Sequence, residues 1–177
     1  MSRPVPSKTA AQPPFDALIG LGSNLGDKIA NLDLAIERLT ATPDIRLVAQ
    51  SRTYKSAPWG VIDQDWFVNA AISIRTPLSP RDLLQRCQAI ENEMGRVRQQ
   101  HWGPRLIDID ILSYRDLQLN EADLVVPHPL IAQRSFVLLP IRDIAPHFKL
   151  GQIDIADLIG ALSLDDVTAI ETVDLER

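Results

Sequence analysis

The sequence is poor in cysteine and in aromatic residues, and it contains no long apolar segment. Its single cysteine, Cys87, excludes an intrachain disulfide framework and any cysteine-rich zinc site. Aromatic residues make up 5% of the chain and the net charge is −5, and both values argue against a nucleic-acid-binding surface. No apolar run approaches the roughly 18 residues that a membrane span requires. We therefore expect a cytoplasmic protein with neither a nucleic-acid nor a membrane partner.

The first 14 residues, MSRPVPSKTAAQPP, also lack the apolar region that a signal peptide needs. Their four prolines predict a disordered tail, residues 1–14, without a catalytic role. The rest of the chain, residues 15–177, has the length of a single domain with its own core. The composition, 45% apolar and 23% charged residues, is typical of a globular protein, and we expect a monomer.

Hydrophobic spacing predicts strands that alternate with helices. Strand-like segments lie at 15–22, 45–54, 66–76 and 105–114, and a small hairpin is expected at 115–120. Helical segments lie at 27–41, 79–95, 130–145 and 154–162. The order β-α-β-β-α-β with a C-terminal extension predicts an α+β protein with a ferredoxin-like sheet. Both helices between the strands would cover one face of that sheet and leave the other face available for a site.

The segment GLGSNLGD joins the first predicted strand to the first helix. Its glycines stand at positions 20, 22 and 26, so the G-x-G-x-x-G pattern of dinucleotide-binding folds is missed by one position. The strand order also lacks the repeated crossover units of those folds. We interpret the segment as a tight turn, with Ser23 or Asn24 as the cap of the helix.

Two aspartates occupy the predicted strand in GPRLIDIDIL, although aspartate is depleted in strands. Side chains alternate along a strand, so Ile107, Ile109 and Ile111 share one face while Asp108 and Asp110 share the other. Two carboxylates about 5 Å apart repel by about 3 kcal/mol at an effective dielectric constant of about 20. A bound Mg²⁺ or Mn²⁺ would offset that repulsion. The alternative is a solvated sheet face with arginine partners.

An arginine-rich segment, GRVRQQHWGPR, directly precedes the aspartates. It holds Arg96, Arg98 and Arg105 without one acidic residue, in a chain whose net charge is negative. Guanidinium groups match phosphate oxygens, and a metal ion beside them would bridge a polyphosphate. The combination favours phosphate-transfer chemistry, with a solvated basic loop as the alternative.

Two further segments carry candidate ligand contacts. VPHPLIAQRSF supplies His128 and Arg134 in a turn-rich stretch, where the histidine could bond a phosphate or ribose or could be purely structural. Asn69 lies on a predicted strand, and a buried amide needs hydrogen-bond partners, which the edge of a heterocycle could provide. We interpret nearby Phe67 as packing.

These motifs, in their order along the chain, resemble the 6-hydroxymethyl-7,8-dihydropterin pyrophosphokinase family. The match is carried by HWGPRLIDIDIL, with GLGSNLGD, YKSAPWG, FVNAA, GRVR and VPHP, and covers roughly residues 17–146. The resemblance implies a ferredoxin-like fold. It also implies transfer of pyrophosphate from ATP to the hydroxymethyl group of a reduced pterin, a step of folate biosynthesis that yields AMP.

The resemblance also assigns roles to particular residues. It implies four catalytic residues, of which the two aspartates hold two Mg²⁺ ions: Arg96, Arg105, Asp108 and Asp110. It implies six contacts to ATP: Gln88, Glu91, Arg98, Ile111, His128 and Arg134. It implies a pterin ring stacked between Trp102 and Phe136, with a pterin site made of Ser56, Pro58, Trp59, Asn69, Trp102 and Phe136. Trp59 and His101 depart from familiar versions of the family.

Two other functions remain open at this point. A palm-type nucleotidyltransferase also pairs aspartates on ferredoxin-like strands, and it would release pyrophosphate rather than AMP. A non-enzymatic ferredoxin-like module would bind nucleotide without Mg²⁺-dependent turnover. The arginine-rich segment directly before the paired acids argues against the module.

Overall fold

The computed structural model describes residues 15–58, 63–95 and 105–170. Several predictions lie outside these residues, namely those for the 1–14 tail, Trp59, Arg96, Arg98, His101 and Trp102. Across the described ranges, no helix is both long enough and apolar enough to cross a membrane.

Strands and helices follow one another in nearly the predicted order. The strands are β1 Ala17–Ser23, β2 Arg46–Gln50, β3 Tyr54–Ser56, β4 Phe67–Arg75, β5 Asp108–Tyr114, β6 Leu119–Asn120, β7 Val125–Val126, β8 Lys149–Leu150, β9 Ile153–Asp154 and β10 Val167–Ala169. The helices are α1 Lys28–Thr40, α2 Pro80–Glu93, α3 Ser135–Ile144 and α4 Ile155–Gly160, with a 3₁₀ turn at Ile131–Gln133.

The main sheet is antiparallel and has the order β10-β3-β4-β1-β5, with β2 paired to β4 as well. Two separate hairpins, β6-β7 and β8-β9, lie outside it. The prediction of an α+β protein is confirmed. The hairpin expected at 115–120 instead pairs β6 with β7, and therefore extends six residues further along the chain.

Local capping explains where α1 and α2 begin. The carboxylate of Asp27 accepts a hydrogen bond from the Ala30 amide at 3.0 Å and caps α1, so the prediction of Ser23 or Asn24 as the cap was wrong. Ser79 caps α2 as its hydroxyl accepts from the Asp82 amide at 3.1 Å. Pro80, at the first position of α2, has no N–H to leave unpaired.

Helices α1 and α2 cover one face of the sheet. Ile107, Ile109 and Ile111 are buried on this face, as the alternation along β5 predicts. They pack in a cluster with side chains from the helices and the other strands, including Ile19, Leu32, Leu39, Ile72, Leu83 and Ile90. This face carries the larger part of the core.

The other face of the sheet is covered in part by α3 and α4. Leu18, Ala71 and Leu112 point to this side and pack in a second buried cluster with Leu138 of α3 and Leu158 of α4. The expectation that this face is left open was therefore correct only near the aspartates of β5. The C-terminal segment supplies the cover, because its apolar residues need a surface against which to bury.

A bulge in β5 separates the polar part of the strand from the buried part. The register of β5 against β1 shifts at Leu112, which has no partner of its own between Ile111 and Ser113. A Cβ at Gly20 would lie 3.2 Å from Leu112 Cδ1, so the glycine makes room for that side chain. Upstream of the bulge, the two aspartates of β5 lie on the same face of the sheet as each other.

The strand predicted at 45–54 is divided into β2 and β3. Ser51 makes the break, because its amide donates to the Ala71 carbonyl and its hydroxyl accepts from the Ala71 amide, each at 2.9 Å. A side chain that bonds the neighbouring strand in this way replaces a backbone hydrogen bond between the two strands. The chain then resumes pairing with β4 at Tyr54.

A charged cluster ties β3 to α3. Asp143 accepts bonds from the Arg52 side chain at 2.9 and 3.1 Å and from the hydroxyl of buried Tyr54 at 2.8 Å. Burial raises the pKa of Asp143, but the bonds from Arg52 and Tyr54 outweigh it, so the net pKa is below the ordinary 3.8. The resulting stabilisation is present above that ordinary value and is lost as the pH falls through the folded-state pKa.

Asp143→Asn is expected to lower the free energy of unfolding by about 1–3 kcal/mol at pH 7, since the buried Tyr54 hydroxyl loses a charged acceptor. The difference from wild type should shrink near pH 3. Urea denaturation at both pH values measures it, with Asp44→Asn on an exposed turn as the control. An equal loss at both pH values would contradict the assigned role of the carboxylate.

Candidate functional site

A cavity of about 340 Å³ lies on the part of the second sheet face that α3 and α4 leave open. Strands β1, β3, β4 and β5, the turn at 128–130 and the start of α3 all contribute to its wall. Eight of the residues predicted from sequence line it: Ser56, Asn69, Arg105, Asp108, Asp110, His128, Arg134 and Phe136. Residues that are distant in sequence thus converge on one space.

The two aspartates have different surroundings within this cavity. Asp108 is half-buried and forms an ion pair with Arg105, with 2.8 Å between Oδ1 and the guanidinium nitrogen. Burial raises the pKa of Asp110 to about 7, and the charge of Asp108 adds to the shift. Arg134 and Arg105 partly oppose the shift in the pKa of Asp110. The arginine partner of the alternative interpretation therefore exists for Asp108, whereas the pKa of Asp110 is raised mainly by burial.

The pair suits a cation that is shared with a ligand. Within residues 15–58, 63–95 and 105–170, no group of three or more His, Cys, Asp or Glu side chains could hold a metal ion. Asp108 and Asp110 offer two carboxylates with hard oxygen donors at the cavity. Mg²⁺ typically takes one or two carboxylates from the protein when phosphates and water complete its coordination shell. A cation would also relieve the repulsion that raises the pKa of Asp110.

His128 and Arg134 form the polar wall opposite the sheet. His128 Nδ1 accepts a bond from the Leu130 amide at 3.2 Å, so the ring proton lies on Nε2. Burial and then Arg134 lower the pKa of His128, which makes the neutral ring the main form at pH 7. The Arg134 guanidinium carbon lies 5.8 Å from the ring centroid of Phe136. This wall offers a neutral donor, a buried cation and an aromatic face.

Asn69 and Ser56 are the polar side chains at the other end of this cavity, away from His128 and Arg134. Asn69 is 6% exposed, and its Nδ2 donates to Ser56 Oγ at 2.8 Å. A Cβ at Gly22 would lie 3.2 Å from Asn69 Oδ1, so the glycine leaves room for the amide. Phe67 also lines the cavity, which corrects its interpretation as packing alone. The signal was available, because Phe67 and Asn69 are two residues apart on β4 and share a face.

A second cavity of about 290 Å³ adjoins the first along the outer edge of β5. Asp110, His128 and Pro129 line both cavities. Ile111, a predicted ATP contact, lines the second cavity together with Leu124 beside β7. The sequence reasoning missed the 122–125 wall, because two-residue strands give almost no periodic signal.

Three predicted contacts, Gln88, Glu91 and Pro58, line neither of these two cavities. Glu91 is 2% exposed on α2, and its Oε1 accepts a bond from the Ile109 amide of β5 at 2.8 Å. This bond covers a backbone donor at the sheet edge, which is a structural role. The ligand contacts of these three residues stay predictions.

Asn24, which the sequence suggested as a helix cap, instead connects two chain segments at the site. Its amide donates to the Arg105 carbonyl at 3.1 Å, and its Oδ1 accepts from the Arg105 amide at 2.7 Å. Its Nδ2 donates to Gln64 Oε1 at 3.2 Å. The backbone of Arg105 is therefore held in place at the mouth of the cavity by a buried amide.

Comparison with known proteins finds relatives over most of the chain. The family model for 7,8-dihydro-6-hydroxymethylpterin-pyrophosphokinase (HPPK) matches residues 18–146. A curated 2-amino-4-hydroxy-6-hydroxymethyldihydropteridine pyrophosphokinase of Methylorubrum extorquens is 48% identical over 88% of this chain and 98% of its own length. The enzyme of that name from Pseudomonas aeruginosa is 44% identical over 75% of this chain and 82% of its own.

Solved structures share the fold at low sequence identity. The Plasmodium falciparum HPPK-DHPS A437G with SDX-DHP has a TM-score of 0.65 and 15% identity, over 86% of this chain and 46% of that one. An HPPK-DHPS in complex with substrates has a TM-score of 0.64 and 15% sequence identity, over 84% of this chain and 43% of that one. The chain thus spans less than half the length of these longer proteins. The family match and the curated relatives establish that the chain belongs to the 7,8-dihydro-6-hydroxymethylpterin-pyrophosphokinase family.

Proposed function

We propose that the chain transfers pyrophosphate from ATP to 6-hydroxymethyl-7,8-dihydropterin at the described cavities, in folate biosynthesis. The observation that carries the proposal is the meeting of two cavities at Asp110 and His128. A reaction between two substrates needs two adjoining spaces with the reacting phosphate between them. Family membership supports the choice of these substrates.

The first cavity would hold the pterin. Ser56 and Asn69 offer a hydroxyl and an amide at its buried end, and Phe136 offers a flat aromatic surface. The pterin edge alternates donors and acceptors, which an amide can pair with on both of its polar atoms. Pro58, Trp59 and Trp102 remain proposed members of this pterin site.

The second cavity would hold the adenosine part of ATP. Ile111 lines it from the edge of β5, and His128 stands where it opens into the first cavity. The Nε2 proton of a neutral His128 can donate to a phosphate or ribose oxygen. Gln88, Glu91, Arg98 and Arg134 complete the proposed ATP contacts.

Asp108 and Asp110 would hold the metal, and we propose two Mg²⁺ ions per site. Mg²⁺ held by these carboxylates would neutralise phosphate charge and increase the acidity of the substrate hydroxyl. Asp108 pairs with Arg105, and burial together with the charge of Asp108 raises the pKa of Asp110, so that an ionised Asp110 is poorly solvated. A pair of this kind favours a cation over a neutral ligand.

The arginines would act on the transferring phosphates. The hydroxyl oxygen forms a bond to the β-phosphorus, the bond from that phosphorus to the α,β-bridging oxygen breaks, and both AMP and the hydroxyl proton are released. Arg105 and Arg134 line the cavity where this charge develops, and Arg96 is proposed to join them. Fixed guanidinium groups stabilise such charge without reorganising.

Several broader properties also belong to this proposal. The order β5-β1-β4 with β2 and β3 both beside β4, together with two helices on one face, supports classifying the fold as ferredoxin-like. A monomeric state and a cytoplasmic location are proposed with it, as is the absence of nucleic-acid and membrane partners.

Incubation with ATP, Mg²⁺ and the hydroxymethyl dihydropterin tests the function. Chromatography of the nucleotides should show AMP that forms only when all three are present and stops when EDTA is added. Formation of ADP or of free pyrophosphate in place of AMP would instead indicate a simple kinase or a nucleotidyltransferase.

Asn69→Ala is expected to raise the KM for the pterin by about tenfold, since a buried hydrogen-bonding group of the substrate loses its partner. The KM for ATP should change less than about twofold on the same estimate. Steady-state kinetics measures both values, with Gln50→Ala, an exposed amide on β2, as the control. An equal rise in both KM values would contradict a pterin-specific role.

A further inference from the structure

The last strand of the described residues, β10, pairs with β3, which carries part of the cavity wall. The antiparallel register sets Val167 opposite Ser56 and Ala169 opposite Tyr54. The family match ends at residue 146, so β10 belongs to a segment beyond it. Strand β3 has only three residues and would be a sheet edge without β10.

Backbone bonds continue this pairing on both sides of the short ladder. The Ala57 amide donates to the Asp166 carbonyl at 3.1 Å, and the Ile170 amide donates to the Thr53 carbonyl at 2.9 Å. In an antiparallel ladder, hydrogen-bonded pairs alternate with non-bonded pairs. Thr168 and Lys55, midway between those two bonds, therefore form the central bonded pair.

Two residues that lie opposite β10 in this pairing also line the cavity. Ser56 and Ala57 both contribute to its wall, and Ser56 Oγ is the acceptor for Asn69 Nδ2 at 2.8 Å. Ser56 is 3% exposed, so its position depends on the strands on either side. Pairing on the outer side of β3 thus acts directly on the backbone at the pterin end of the site.

The segment before β10 is itself anchored to the core. Ile155, Leu158 and Ile159 of α4 are buried in the cluster on the second sheet face, with Leu138 of α3 and Tyr54 of β3. Val167 is half-buried against the same cluster. This anchoring delivers β10 to the edge of β3 in a defined place.

We propose that β10 is a positioning element for the pterin, acting through the backbone of Ser56 and Ala57. The proposal rests on the proposed function, because it assigns the pterin to the first cavity. Loss of β10 pairing should loosen the pterin end of the site while the second cavity, on the far side of β5, keeps its affinity for the nucleotide.

Thr168→Pro tests the proposal in the full chain. The Thr168 side chain is exposed, and proline removes the amide that the central ladder pair uses. We expect a rise of about fivefold in the KM for the pterin at saturating ATP. The KM for ATP should change less than about twofold by the same measure. Thr168→Ala, which keeps the amide, should restore wild-type values.

Ile36→Val controls for lost stability, because Ile36 of α1 is buried against the opposite face of the sheet. Ile36→Val should lower the melting temperature about as much as Thr168→Pro does, but it should leave the KM for the pterin unchanged. If Thr168→Pro leaves the KM for the pterin unchanged, or if Ile36→Val raises it equally, the proposal fails. Wild-type enzyme that forms no AMP would instead refute the proposed function, so the two failures are distinct.

Hydrogen exchange in the wild-type protein provides a test that does not depend on the folding of a variant. Binding and strand pairing that stabilise each other must do so reciprocally. The pterin, added to enzyme saturated with α,β-methylene ATP, should slow exchange of the Thr168 and Ile170 amides by about fivefold, in line with the kinetic shift. The ATP analogue alone should not. Unchanged exchange on addition of the pterin would overturn the proposal.

Discussion

Asp110→Asn is expected to lower kcat by about a thousandfold or more. Asparagine keeps the size of the side chain but removes the negative charge that a phosphate-bridging cation requires. The substitution also removes the repulsion from Asp108 that helps to raise the pKa of the native carboxyl. The folded protein should therefore be at least as stable as wild type while it loses turnover.

The measurement pairs single-turnover kinetics with thermal unfolding of the same preparation. Asp116→Asn is the matched control, because Asp116 is exposed in the turn that follows β5. It should retain wild-type kinetics. Near-normal turnover in a correctly folded Asp110→Asn protein would remove the basis for a metal site on β5.

Arg105→Ala is expected to lower kcat by about a hundredfold while the affinity for ATP changes only a few-fold. Arg105 lines the cavity, pairs with Asp108 at 2.8 Å, and has its backbone held by Asn24 through two hydrogen bonds. A guanidinium held in this way is already in position when charge develops on the transferring group. Its effect should therefore appear in the chemical step.

Arg105→Lys should fall between alanine and wild type, because lysine keeps the charge but not the planar fork. Arg46→Ala, at the exposed start of β2, should behave as wild type. Binding of an unreactive ATP analogue, measured by calorimetry, separates affinity from turnover. A loss of ATP affinity that accounts for the whole kinetic defect would reduce Arg105 to a binding residue.

Elements with strong local patterns could be predicted from the sequence. Helix α2 has a capping serine, a proline at its first position and apolar residues at helical spacing, so its prediction needed no knowledge of the rest of the chain. The isoleucines of β5 could be assigned to the buried face by alternation alone. Such signals arise from interactions within about one turn or one strand.

Features that depend on distant partners could not be predicted in the same way. The break between β2 and β3 follows from bonds between Ser51 and Ala71, which are 20 residues apart. The strand β10 has three residues and obtains its partner from β3, more than a hundred positions earlier in the chain. A segment this short carries no periodicity of its own, so its pairing is decided by tertiary packing.

The same distinction applies to the candidate site. The aspartates and Arg105 were recognisable because they share one short stretch of unusual composition. The bonds of Asn24 to Arg105 and of Glu91 to Ile109 could not be predicted, since each joins a side chain to a backbone group in a distant part of the chain. The second cavity could not be predicted, because its wall depends on the path of the chain after β5, and local sequence patterns do not give that path.

The position of bond cleavage in ATP tests the central claim most directly. ATP that carries ¹⁸O in the α,β-bridging position is incubated with wild-type enzyme, Mg²⁺ and the hydroxymethyl dihydropterin, and both products are examined by mass spectrometry. Attack at the β-phosphorus predicts that the label leaves with AMP and that the pterin carries an unlabelled diphosphate. Label in released pyrophosphate, with the nucleotide attached to the pterin, would contradict pyrophosphate transfer.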